Sequence, residues 1–255
     1  MKYLLLLATI LPILSACQHS GNSLQNINEA ATGNSYPDVN SIPLPKGYKR
    51  INNPRNSFAT WLRQIAIKKD KQVHLYNGSL KRNQSAQFAV LQVPVGNKDL
   101  QQCADAVMRL RAEYLYSLGL FRDISFTDNN GKSYNCPPNT SKEEFEHYLE
   151  KVFTWCGTAS LEKQLKPVAD FSNIQPGDVL IKGGFPGHAV IVVDVAVNNK
   201  GKKIYLLAQS YMPAQEIHIL KNPMNDTLSP WYEVNEDETI YTPEWVFKKN
   251  QLRRF

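Results

Sequence analysis

The chain is poor in cysteine, lacks phosphate loops and has few long apolar runs, and each shortage removes a class of function. Its four cysteines, at positions 17, 103, 136 and 156, form no Cys-x-x-Cys pair, which excludes zinc-ribbon and thioredoxin-type sites. There is no His-Glu-x-x-His, no acidic calcium loop and no glycine-lysine phosphate motif, so nothing asks for a metal or other cofactor. Gly183-Gly184-Phe185-Pro186-Gly187 lacks the lysine and following helix of a phosphate loop and reads as a sharp turn. Past the first 14 residues no stretch is apolar enough to span a membrane. Charge of one sign is not concentrated either: 29 basic against 23 acidic side chains give +6, and only Lys248, Lys249, Arg253 and Arg254 cluster. No nucleic-acid partner follows from that pattern.

What is present begins with Lys2 and an apolar run over residues 3–14, broken by Pro12 and ending in Leu14-Ser15-Ala16-Cys17. The run is well short of the roughly 20 residues a spanning helix needs, so residues 1–16 read as a signal peptide. The tetrapeptide resembles the lipobox of bacterial lipoproteins, which implies lipid on Cys17 and cleavage before it; two or three acyl chains make a stable membrane anchor. The implied location is exported and lipid-anchored to the bacterial cell envelope, periplasmic or on the outer membrane. Losing Lys2 leaves 28 basic against 23 acidic side chains, a net +5. Residues 17–45, rich in Asn, Ser, Gln and Gly, read as a flexible tether of roughly 30 Å r.m.s. span. Export permits disulfides. Cys136 and Cys156, either side of an acidic helical stretch, are the candidate pair, and Cys103 is the thiol left over.

Residues 46–255 then read as one α+β domain. The spacing of Phe58, Trp61, Leu62 and Ile65 predicts a short helix within 57–67, Asn77-Gly78 predicts a hairpin turn, and residues 86–95 predict a strand ending near Pro94. Residues 99–118 predict the clearest helix, with a capping box from Asp99 to Gln102 and Gly119 as its stop. A helical insertion at about 120–170 includes a second helix over 142–155. Strands are expected at 179–182, 189–197, 203–209 and 216–220, with 241–247 either a further strand or a helical turn opened by Thr242-Pro243-Glu244. Helices followed by successive strands imply a mainly antiparallel sheet.

The chemistry centres on His188, a lone histidine at the mouth of an apolar strand. Other histidines read as bland: His74 flanks a turn, His147 lies off its helix's apolar face and His218 alternates away from Ile217 and Ile219. Gly177-Asp178-Val179 followed by Gly187-His188-Ala189-Val190-Ile191-Val192 resembles the paired strands of NlpC-type and CHAP cysteine peptidases. That resemblance covers roughly residues 99–220. It implies a papain-like fold, with a catalytic-type helix packed on the sheet, that hydrolyses peptidoglycan and related amides. It also implies Cys103 as nucleophile, His188 as base and Gln209 as orienting group, although the family's usual Asp-Cys-Ser-Gly is absent. Gln215 competes with Gln209. Asp194 lies about 20 Å along the strand from His188 and is excluded as third member. The mature chain also resembles a bacterial lipoprotein family, the domain of unknown function 4846, through the segments starting Gln101-Gln102-Cys103, Arg109-Leu110-Arg111 and Ala208-Gln209-Ser210.

A helix start and a nearby imidazolium lower a thiol pKa, so a reactive thiolate is expected at Cys103, with Gln101 or Gln102 helping a backbone N–H to hold the oxyanion. Cys103 also falls on the helix's apolar stripe, where a packed, inert thiol is the alternative. Two functions follow. One is a membrane-tethered thiol hydrolase acting on an envelope peptide or glycopeptide. The other is a non-catalytic lipoprotein binding a glycan or peptide in the same cleft, with Trp155, Trp231 and Tyr211 as aromatic contacts.

Overall fold

The computed structural model describes residues 33–255. The expected signal peptide, the lipidation site Cys17 and the tether through residue 32 lie outside the described residues. In chain order the elements are β1 (Tyr48–Arg50), α1 (Phe58–Arg63), β2 (Gln87–Val90), α2 (Cys103–Ser117), β3 (Ser125–Thr127), β4 (Ser133–Asn135), α3 (Lys142–Trp155), α4 (Thr158–Gln164) and β5 (Lys166–Pro167). They continue with β6 (Val179–Lys182), β7 (His188–Asn198), β8 (Lys203–Gln209), β9 (His218–Leu220), β10 (Tyr232–Glu233), β11 (Thr239–Tyr241), β12 (Val246–Lys248) and β13 (Leu252–Arg254).

The main sheet runs β2-β9-β8-β7-β6-β13-β5, with β1 beside β7 and β10 beside β8. All its pairings are antiparallel, so the α+β class and the antiparallel sheet follow from the order of elements in the sequence. β7 is nearly all apolar because both of its faces are covered. Ala189, Ile191, Val193 and Ala196 join the cluster under α1–α4, while Val190, Val192 and Val195 join a second cluster with Phe171, Ile240 and Phe247. The alternation changes phase at an irregularity between Val192 and Asp194, as a bulge requires. Asp194, fully buried there, is held by Arg50 Nε at 2.6 Å and Arg63 Nε at 2.5 Å. It fastens β7 to β1 and α1.

The α2 start differs from expectation. Gln102 is the N-cap, and its N–H donates to Asp105 Oδ2 at 2.9 Å. Asp99 instead accepts from Ala214 N–H at 2.6 Å and from Gln102 Nε2 at 3.2 Å. Residues 99–102 are thus pinned to the loop after β8, and the helix begins at Cys103. Gly119 ends it with φ +70, as expected. α3 begins with the reciprocal cap of Ser141 and Glu144 and buries Phe145, Leu149, Val152 and Phe153.

Three expectations are revised. The tether was expected to reach residue 45, yet Val39 and Ile42 are buried and Val39 N–H donates to Ile65 O; two apolar residues in a polar stretch are enough to dock it. Asn77-Gly78 does turn the chain, but only one bridge, His74 to Leu80, forms beside it. Residues 241–247 are neither one strand nor a helical turn. They form the bend of the β11–β12 hairpin, in which Thr242 N–H donates to Trp245 O. The insertion adds the β3–β4 hairpin and α4, and shares the core under the helices through Ile124, Phe126 and Leu161.

Candidate functional site

α2 carries Cys103, its first helical residue, to the start of β7. The backbone N–H groups of Ala189, one residue past His188, and of Cys103 and Ala104 at the helix start lie close enough to the sulfur to favour its thiolate. The turns that lead into β6 and β7 depend on glycine. A Cβ at Gly187 would lie 2.6 Å from Gly184 O and 2.7 Å from Lys182 O, and Gly177, at φ +94, has Phe58 where a Cβ would be.

Burial decides the state of this thiol. Cys103 is only 9% exposed, and desolvation, joined by the nearby Asp105 carboxyl, pushes its pKa up to about 11 against the lowering effect of the three N–H groups. A helix terminus contributes about 0.3–1 kcal/mol, less than one pKa unit, whereas full burial is worth several units. The expected thiolate is therefore a neutral thiol. Asp105 is also raised well above the ordinary carboxylate range by burial, and its Oδ1 meets no donor among the described residues.

His188, 1% exposed, opens the other half. Its Nε2 lies 2.8 Å from Gln209 Oε1. Gln209 Nε2 in turn donates to Glu244 Oε2 at 2.8 Å and lies 3.4 Å from His218 Nε2. Lys81 Nζ at 2.6 Å and Asn83 Nδ2 at 3.2 Å hold the Glu244 carboxylate. The rings of Tyr211, Trp245 and Phe247 surround the imidazole at centroid distances of 4.7, 5.2 and 5.8 Å. Desolvation lowers the His188 pKa to about 4 against the raising bond from Gln209. His188 is thus a neutral imidazole at neutral pH.

The two halves meet at the 188–189 step from opposite faces. Ala189 faces α2, while His188 packs against Phe247 of the second cluster. No hydrogen bond joins Cys103 Sγ to the His188 ring among the described residues. Tyr211 neighbours both: its ring packs on His188, and its phenol pKa is raised by burial, by Glu244 and by Cys103.

Residues 39–138 and 132–254 match the family model described as domain of unknown function (4846). The chain belongs to this family. No curated protein and no solved structure matches it. Gln209 rather than Gln215 meets His188; Gln215 Nε2 donates to Pro213 O at 3.3 Å. Gln101 Oε1 accepts from Arg109 Nη1 at 3.3 Å while its buried Nε2 has no partner among the described residues, and the Gln102 amide is turned to Asp99 at 3.2 Å.

Cys136 and Cys156 are separate thiols, as is Cys103. Cys136 Sγ donates instead to Thr140 Oγ1 at 3.7 Å. Of the aromatic residues, Trp231 is a core anchor whose Nε1 donates to Pro43 O at 2.8 Å, Trp155 stands exposed at the end of α3, and only Tyr211 is at the site. Asp178 of the Gly-Asp step pairs with Arg254 at 2.6 Å, tying β6 to β13. His218 is not bland: it is fully buried and reaches Gln209.

Glu244, Lys81, Asn83 and Trp245 were missed by sequence reading. Lys81 and Asn83 lie more than 100 residues before Gln209 and Glu244 more than 30 after it, so no spacing rule links them. A buried lysine, such as Lys81 at 6% exposure, leaves no trace in composition. Among the described residues no cluster of His, Cys, Asp or Glu could hold a metal ion, and no helix is long and apolar enough to cross a membrane.

Proposed function

We propose that this chain is a membrane-tethered thiol hydrolase of papain-like, NlpC/CHAP type, cleaving an amide bond in a peptide or glycopeptide of the bacterial envelope, with peptidoglycan peptide as the candidate substrate. One observation carries the reading: the Cys103 helix start abuts the His188–Ala189 step, where Gln209 grips the imidazole by Nε2. Lipid on Cys17 and the segment after it supply the tether in this reading.

The chemistry starts from a neutral pair. As sulfur bonds to the amide carbonyl, the thiol proton passes to His188 Nδ1, and the imidazolium returns it to the departing nitrogen. Water, deprotonated by the same nitrogen, then hydrolyses the thioester. The N–H groups of Cys103 and Ala104 are the donors available to the developing oxyanion. Attack requires Nδ1 to come within hydrogen-bond reach of Sγ, a contact that active sites often tighten only around bound substrate.

The test is hydrolysis of envelope peptides by mature protein. Cys103→Ala and His188→Ala should each remove turnover by on the order of 10³-fold or more, and the double variant should be no worse than either. Full activity in Cys103→Ala overturns the reading. For the anchor, Cys17→Ser should leave the protein unprocessed and outside the detergent phase.

A second reading, a non-catalytic binder of a glycan or peptide in the same cleft, is favoured by the raised thiol pKa and by the placement of the two side chains on opposite faces. Binding without turnover, unchanged in Cys103→Ala, would select it.

A further inference from the structure

The buried polar chain behind His188 has only one consistent arrangement of hydrogens. His218 Nδ1 lies 2.9 Å from Glu216 O. A carbonyl can only accept, so Nδ1 carries the proton and His218 Nε2 is a lone pair. Two acceptors, His218 Nε2 and Glu244 Oε2, therefore face the Gln209 amide nitrogen, which has two hydrogens to give them. The Gln209 oxygen must then face His188 Nε2, 2.8 Å away, and because it too only accepts, Nε2 is the protonated nitrogen. His188 Nδ1 is left with its lone pair.

Glu244 is the nearer of the two acceptors that orient this chain. Without its carboxylate, only His218 Nε2 at 3.4 Å would still call for the amide nitrogen, while Lys81, whose Nζ sits 2.6 Å from Glu244 Oε2, would offer a donor that calls for the oxygen. We infer that Glu244, clamped by Lys81 and Asn83, is a positioning residue that orients the Gln209 amide and thereby fixes His188 in the Nε2–H tautomer with Nδ1 free to accept a proton. As an account of catalysis this rests on the hydrolase reading. As an account of the tautomer it does not.

The experiment uses the chain labelled with ¹⁵N-histidine and reads both ring nitrogens of His188 and His218 by long-range ¹H–¹⁵N correlation near pH 7. In wild type, His188 should show a protonated Nε2 and a bare Nδ1, and His218 the reverse. Glu244→Met keeps the side chain's length and removes its acceptor. Lys81 should then turn to the Gln209 oxygen, inverting the amide and moving His188 toward the Nδ1–H tautomer. If the single variant fails to fold because Lys81 is left buried without a partner, Lys81→Met/Glu244→Met removes both charges at conserved volume, and there His188 should show a mixture of tautomers.

Under the hydrolase reading, turnover should fall on the order of 10²-fold or more in Glu244→Met, as the wrong tautomer does in catalytic triads generally. His188 remaining wholly Nε2–H in both variants overturns the positioning role, whatever the activity. A tautomer change in a protein whose wild type never hydrolyses an amide upholds the positioning role and sinks only the hydrolase.

Discussion

On the helix side of β7, Ala189, Ile191 and Val193 meet α2 in an apolar cluster, and Cys103 at the start of that helix is kept neutral. On the opposite side Val190 and Val192 share the surface with His188 and, on neighbouring strands, with Gln209 and His218. The first face is held by contact area, which is non-directional and worth about 1.5–3 kcal/mol per large side chain. The second is held by an ordered set of donors and acceptors inside aromatic cover. The same loss of packing should therefore have different consequences on the two faces: lost stability on one, and lost stability together with an altered imidazole on the other.

The largest effect comes from emptying each face. Phe145→Ala on the helix side and Phe247→Ala on the other remove fully buried rings, and each should cost about 3–5 kcal/mol in chemical denaturation. They should differ in the titration of His188 by NMR. Phe247→Ala admits water to the imidazole and should raise its pKa from about 4 toward the ordinary histidine value of 6.5. Phe145→Ala should leave it in place. Identical titrations in the two variants would mean that the faces are not independent.

Acid sharpens the contrast through the two histidines of the second face. His188 and His218 have folded pKa values lowered by burial to about 4 and about 3. Below about pH 6.5 the unfolded chain binds protons that the folded chain refuses, so stability is full above 6.5 and falls as pH drops toward 4 and 3, by a few kcal/mol. Asp105, raised by burial, pulls the other way, so the histidine contribution is read by difference. His188→Gln should lose less stability than wild type between pH 7 and pH 4.5, as urea midpoints would show; an equal loss would detach the acid sensitivity from His188.

The smallest effect is expected where neither face is touched. Lys98 and Glu150 pair at 2.9 Å with the lysine side chain 58% exposed, and Lys98→Ala should cost no more than a few tenths of a kcal/mol. The same measurement on Lys81→Ala, which removes a buried lysine from its partly buried partner Glu244, should show a loss several times larger.

Much of the fold was legible because it is local. α3 runs over residues 142–155 as its apolar spacing and its Ser141–Glu144 cap require, and the antiparallel core strands sit where β-branched runs meet turns. β5 and β13 escaped because two- and three-residue strands carry no usable period. The α2 cap was misplaced because Asp99 is claimed by Ala214, 115 residues away.

The site divides the same way. Sequence by itself determined that Cys103 lies in the first turn of a helix, that His188 opens a strand and that Gln209 closes the next one, because these follow from neighbours within a turn or a strand length. Only the tertiary structure decided that the thiol is neutral, that His188 turns away from α2 toward Phe247, and that Glu244, Lys81, Asn83 and His218 stand behind it. Those outcomes depend on burial and on hydrogen bonds between segments far apart in the chain, and neither desolvation nor a choice among distant partners is written in any local run of residues.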